Sequence, residues 1–197
     1  AVAVLGPGVG DKAAQKRVLD ATVTPEMNFD DWTVGGLTLR QDLAFQQATV
    51  AWESEKIGLT LDFEAYHPPY AYGSHPRGCP SFAADDRIEQ SGFGRGVLRL
   101  GDRTIPFDGA AHRDHSWGTR DWKVMQHHKW LHAQIAGELS VHFWELQALG
   151  RTELRGYLFK DGVMAQVTAV DVTFDYVGRL IPTAYVAKVV DELGRTV

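Results

Sequence analysis

Leu59, Leu61, Phe63 and Ala65 alternate with Thr60, Asp62, Glu64 and Tyr66, the two-residue period of a strand with one face buried. Residues 37–41 alternate in the same way, and 49–52 do so weakly. The pattern resumes at 96–100 and 104–107, then at 129–135, 139–147, 154–159, 163–167, 170–174 and 183–190. Turn signals separate these runs at Gly101-Asp102, Ala136-Gly137-Glu138, Gly150 and Asp161-Gly162, of which Asp-Gly is the strongest hairpin signal. Strands recurring every ~8–12 residues predict a mainly β chain of antiparallel sandwich or barrel units with little helix. The one helical expectation is 11–19, with Asp11 as N-cap and Ala14, Val18 and Leu19 apolar. Residues 67–94 read as a long irregular stretch, broken by Pro68, Pro69, Gly73, Pro76, Gly78, Pro80, Gly92 and Gly94. Loops of that length are usually functional or mobile.

Composition narrows the class. The chain has 197 residues, 44% hydrophobic and 23% charged, enough for one large domain or two small ones with a real core. A net charge of −5 argues against nucleic acid as a partner, because such binders carry a basic excess. No apolar run approaches the ~20 residues of a membrane-spanning helix. The apolar start, Ala1 to Leu5, has no basic region before it and stops at Gly6-Pro7, so it does not read as a signal peptide. Cys79 is the only cysteine, which excludes an intrachain disulfide and favours a cytoplasmic setting. Six Trp, nine Phe and six Tyr supply an aromatic core or the lining of an apolar cavity.

The chemistry concentrates in Ala111-His112-Arg113-Asp114-His115-Ser116-Trp117-Gly118-Thr119-Arg120-Asp121-Trp122. His115 is a natural general acid or base, because an imidazole titrates near neutrality. Asp114 or Asp121 would orient it, and Trp117 and Trp122 would wall an apolar pocket or face a developing carbocation. Arg113 and Arg120 would pair with the aspartates and fix the segment. The bland alternative is a buried plug of ion pairs and aromatics at a junction. Nearby lies His127-His128-Lys129-Trp130-Leu131-His132. On a helix His128 and His132 would share a face and could bind metal; as a strand, 128, 130 and 132 share one side, and a pocket rim is the plainer reading. The strand around Ser140 to Gln147 carries His142, Trp144 and Leu146 on one face and Val141, Phe143, Glu145 and Gln147 on the other. Glu145 beside aromatics would serve as a proton donor, or else face solvent. Gly6-x-Gly8-x-Gly10 fails as a dinucleotide fingerprint, since Asp11 stands where spacing requires the third glycine to follow and no βαβ context surrounds it. No Gly-x-Ser-x-Gly elbow occurs.

Residues 113–122 resemble the central signature of the carotenoid 1,2-hydratase (hydroxyneurosporene synthase)-like and AttH-like superfamily, a lipocalin-related group. Trp32-x-x-Gly35-Gly36-Leu37 and Phe63-x-Ala65-x-x-Pro68-Pro69 look like its first half. The resemblance implies two lipocalin-like β-halves joined near His115-Ser116-Trp117-Gly118, here 1–112 and 113–197. The length then implies an abbreviated second half or a longer natural protein, and open strand edges that a homodimer would cover. In the hydratase branch a His-x-Trp and a downstream acid protonate an alkene and accept water. His115 and Trp117 match the first part; Glu145 stands where the superfamily more often has Asp.

The resulting expectation is a cofactor-independent lyase or hydratase acting on a hydrophobic small molecule, terpenoid, aromatic or polyketide-like. His115 carries protons, Asp114 tunes it, Glu145 is the second acid–base group, and Trp117, Trp122, Trp144, Tyr66 and His142 shape the pocket. The alternatives are an isomerase or cyclase on the same fold and a lipocalin-like binder without catalysis. A further one is a metal-dependent enzyme using His112, His115, His128 or His132.

Overall fold

Leu149-Gly150 and Asp161-Gly162 all have positive φ (52° and 74°, 55° and 75°), the paired left-handed geometry of tight hairpins whose twist matches that of strands. They close two turns of an antiparallel meander, and the rest of the chain follows the same logic. In this computed structural model residues 1–6, 9–135, 137–178 and 181–197 are described. Pro7 and Gly8 of the glycine-rich opening and Ala136 of one expected turn lie outside them.

The strands are β1 (Val2–Val4), β2 (Ala14–Lys16), β3 (Asp31–Val34), β4 (Leu37–Gln41), β5 (Gln47–Glu53), β6 (Ile57–Ala65), β7 (Tyr70–Ala71), β8 (Asp86–Leu100), β9 (Arg103–Trp117), β10 (Met125–Ile135), β11 (Leu139–Ala148), β12 (Arg151–Lys160), β13 (Val163–Val177) and β14 (Ile181–Asp191). Among the described residues two three-residue 3₁₀ turns, Tyr72–Ser74 and Trp122–Val124, interrupt them. The protein is mainly β, with antiparallel sheets that include a curled half-barrel of the lipocalin-like barrel or sandwich kind.

Two compact units share the chain. The first comprises 1–68 and 92–112, the second 69–91 and 113–197. In the first unit β3, β4, β5 and β6 form a meander, and the 92–100 part of β8 pairs antiparallel with β6. In the second, β10 to β14 form a five-stranded meander in chain order, and β7 pairs with β8 at Glu89 and Ile88.

Register decides what each face of the second meander carries. Leu131 lies opposite Phe143, and Ala133 opposite Val141. Leu131 and Val141 pack with Leu154, Val167, Val172, Ala187 and Val189 in an aliphatic cluster around Phe143. One residue out of phase, Trp130 faces Trp144 and His132 faces His142 on the opposite side. On β12, Tyr157 lies opposite His142 and Arg155 opposite Trp144. One face is therefore aliphatic; the other is aromatic and polar, yet buried where β11 and β12 contribute it.

Two expectations are corrected. Residues 11–19 are not helical: Ala14–Lys16 is a strand and Leu19 is 78% exposed, so no core exists for a helix face to bury against. Residues 86–94 are not irregular but open the fifteen-residue β8. Gly92 and Gly96 there are not breakers; a Cβ would lie 2.2 Å from the Glu64 carbonyl oxygen and 1.9 Å from that of Thr60, so they permit close strand approach.

Candidate functional site

Alternation along β8 puts Arg87, Glu89 and Ser91 on one side, and all three are buried. Within the second unit they meet the polar face of β11 rung by rung. Arg87 lies over the Trp144 ring, 4.7 Å from its centroid. Glu89 Oε1 lies 3.4 Å from His142 Nε2. Ser91 Oγ lies 2.7 Å from Ser140 Oγ.

The middle rung is an acid–base chain. His142 Nδ1 contacts the Leu131 carbonyl oxygen at 3.1 Å, a partner that can only accept, so Nδ1 carries a proton. In the neutral ring Nε2 is then the acceptor for the Tyr72 hydroxyl, 2.8 Å away. Glu89 Oε1 also accepts from Arg87 Nε at 2.5 Å and from Trp130 Nε1 at 3.1 Å. Burial, and then the Glu89 charge, pushes the Tyr72 phenol well above its ordinary value, against the opposing pull of Arg87. Tyr72 and His142 are wholly buried. Trp144 Nε1 is buried with no hydrogen-bond partner among the described residues, which costs about 1–3 kcal/mol.

The neighbouring rung is a hydroxyl cluster. Ser91 Oγ contacts His132 Nε2 at 2.8 Å and Tyr157 OH at 3.0 Å, and Ser140 Oγ contacts Tyr157 OH at 2.9 Å. The 69–85 segment is tied to this unit by buried Arg155, whose Nε donates to the Gly78 carbonyl at 2.7 Å.

The residues expected from sequence fall in several places. His142 and Trp144 lie in the buried ladder. Asp114 adjoins it, accepting from Arg87 Nη2 at 2.6 Å rather than from Arg113 or Arg120. His115 meets Trp117 edge-on at 5.4 Å. Trp117 and Trp122 are 45% and 51% exposed, and Arg120 stacks over Trp122 and bonds Ser116. Glu145 sits on the aliphatic side of β11, ion-paired with Lys129. Tyr66 belongs to the first unit, packed against His67 and Phe93. Asp121 caps the 3₁₀ turn through the Lys123 amide. Gly118 adopts φ +93°. Sequence reasoning missed Tyr72, Arg87, Glu89 and Ser91. The i, i+2 alternation of Arg, Glu and Ser was the available signal, masked by the glycines that follow.

An apolar groove borders the aliphatic face, of about 220 Å³, lined by Leu131, His132, Val141, Phe143, Tyr185 and Val189 among others. No helix among the described residues is long and apolar enough to cross a membrane.

Over residues 1–197 the chain matches the family model described as a domain of unknown function, DUF7064. No curated protein and no solved structure matches it.

Proposed function

The chain belongs to the DUF7064 family, and we propose that it is a cofactor-independent acid–base enzyme of the hydro-lyase type, acting on a hydrophobic small molecule. The observation that carries this is the Glu89–His142–Tyr72 chain, flanked by Trp130, Trp144 and Tyr157. Buried titratable groups are costly, and where they are chained by hydrogen bonds they suit proton transfer. In a dehydration the His142 imidazolium passes its Nε2 proton to the Tyr72 oxygen. The phenol's own proton goes to the leaving hydroxyl, which departs as water; the carbocation then loses its β-proton to the Tyr72 oxygen as the phenol proton returns to His142 Nε2, which forms the alkene and restores the imidazolium. Glu89 stabilises the imidazolium beforehand, and indole faces stabilise positive charge on the substrate carbon. Hydration is the reverse. The resemblance to the carotenoid hydratase and AttH-like superfamily supports the same chemistry. On this reading the protein works in the cytoplasm, as a homodimer that covers open strand edges.

The test is incubation with a panel of tertiary terpenoid alcohols and alkenes in heavy-oxygen water, followed by mass spectrometry. Gain or loss of water with the wild-type chain is expected, falling about 100-fold or more in Tyr72→Phe and His142→Gln at unchanged secondary structure. No conversion of any compound, or conversion unaffected by both substitutions, overturns the proposal.

The apolar groove favours a second reading, a carrier that binds a hydrophobic ligand without changing it. It predicts saturable binding with the ligand recovered intact.

A further inference from the structure

β14 is the last strand of the second unit's meander, and β13 occupies one of its edges. Arg195 to Val197 turns back along the other edge. The Val189 amide donates to the Val197 carbonyl at 2.9 Å, the Val197 amide to the Val189 carbonyl at 3.1 Å, and the Asp191 amide to the Arg195 carbonyl at 3.1 Å. The main-chain groups of Val189 therefore point away from β13, and strand alternation points those of Ala187 and Tyr185 the same way. No strand among the described residues pairs with those two on that side. Residues 181–187 carry no charge, and Tyr185 and Val186 are 46% and 74% exposed. An apolar edge of this kind is one that proteins keep covered.

Tyr185, Ala187, Val189 and Val197 line the apolar groove. Leu131 and Ala133 of β10, the strand at the other end of the sheet, line it too. β10 and β14 are separated by four antiparallel pairings, so they run in the same direction. A single strand can therefore lie antiparallel to both. We propose that the groove is a slot for an extended strand of another polypeptide, apolar at every second residue, which lies along β14 in line with Arg195 to Val197 and pairs with Ala187 and Tyr185. Its main chain satisfies an edge that an apolar small molecule leaves unpaired, and its alternate side chains enter the groove. This does not depend on turnover, and the homodimer proposed above uses another edge, such as β3.

The test uses the intact chain and a soluble synthetic peptide in which Val alternates with Lys and Glu. The control peptide has the same composition with the alternation scrambled. In fluorescence polarisation the alternating peptide should bind about tenfold or more tightly than the scrambled one. In NMR-detected hydrogen exchange it should slow the Ala187 and Tyr185 amides. Ala187→Pro removes an amide that faces away from β13, and edge strands tolerate proline there. With the sheet retained by circular dichroism, this variant should bind the alternating peptide about tenfold more weakly, whereas Ala187→Ser, which keeps the amide, should bind it as the wild type does. Equal affinity for the two peptides, exchange at Ala187 and Tyr185 unchanged by the alternating peptide, or binding undiminished in Ala187→Pro overturns the proposal. So does protection of those two amides in a dimer of the chain alone, which would make a second copy the occupant.

Discussion

Glu89 shows how much rests on a single partner. It is wholly buried, and Arg87 supplies its nearest cationic donor while also reaching Asp114. Replacing Arg87 by Leu leaves a carboxylate in a dry aromatic layer, and removing one member of such a pair costs about 3–5 kcal/mol. The urea midpoint of Arg87→Leu should drop accordingly, and Arg87→Leu with Glu89→Leu should recover part of the loss. Cys79 offers a contrast. Burial pushes its thiol up to about 11, so at neutral pH it is a thiol, not a thiolate. Iodoacetamide should label it several-fold more slowly than a free cysteine, followed by mass spectrometry.

At the scale of elements, glycines inside strands carry more information than glycines in turns. Gly156 is buried in β12, where a Cβ would sit 2.2 Å from the His142 carbonyl oxygen and 2.7 Å from the Phe143 Cα. Both obstacles are backbone, so Gly156→Ala should force β11 and β12 apart at the acid–base chain. A loss of about 1–3 kcal/mol in denaturant unfolding is expected. The same logic explains what could be read without coordinates. The meander from β10 to β14 was legible, with Asp161-Gly162 an unambiguous turn, except that β13 read as two strands because its register shifts between Val167 and Ala169. The first half of β8 was not, because Gly92 and Gly94 resemble breakers until the close partner strand is seen. The candidate site was half legible. His142 and Trp144 stand out as polar and aromatic residues on one face of a strand. Their partners come from a segment some fifty residues earlier (Ser91 to Ser140 is 49), and strand period alone cannot pair them.

For the whole molecule, His67 and Asp191 contribute to acid sensitivity in separate pH ranges, and His75, lowered by burial and by Arg155 and Arg77, adds to the first. Burial, with a smaller push from His112, holds the His67 imidazole below its ordinary value despite its bond to the Pro68 carbonyl. The unfolded chain therefore binds the proton more readily, and this contribution is complete above the unfolded value near 6.5 and lost as pH falls through the folded one. Burial alone would raise Asp191, but bonds from Arg195 and the Leu193 amide outweigh it and hold its carboxyl low. Its contribution is complete above about 3.8 and lost as pH falls further. Stability measured by urea unfolding should decline in two stages on acidification. His67→Gln should shrink the first and Asp191→Asn the second.

The rungs between β8 and β11 also constrain the order of folding. Tyr72 meets His142 across 70 residues and Ser91 meets Ser140 across 49, whereas β10 to β14 pair with immediate neighbours in the chain. Local hairpins close quickly and distant contacts slowly, because chain entropy must be lost before they reward it. The acid–base layer should therefore consolidate after the rate-limiting barrier. In stopped-flow kinetics Tyr72→Phe should speed unfolding and leave the folding rate nearly unchanged, a φ-value near zero at the heart of the site.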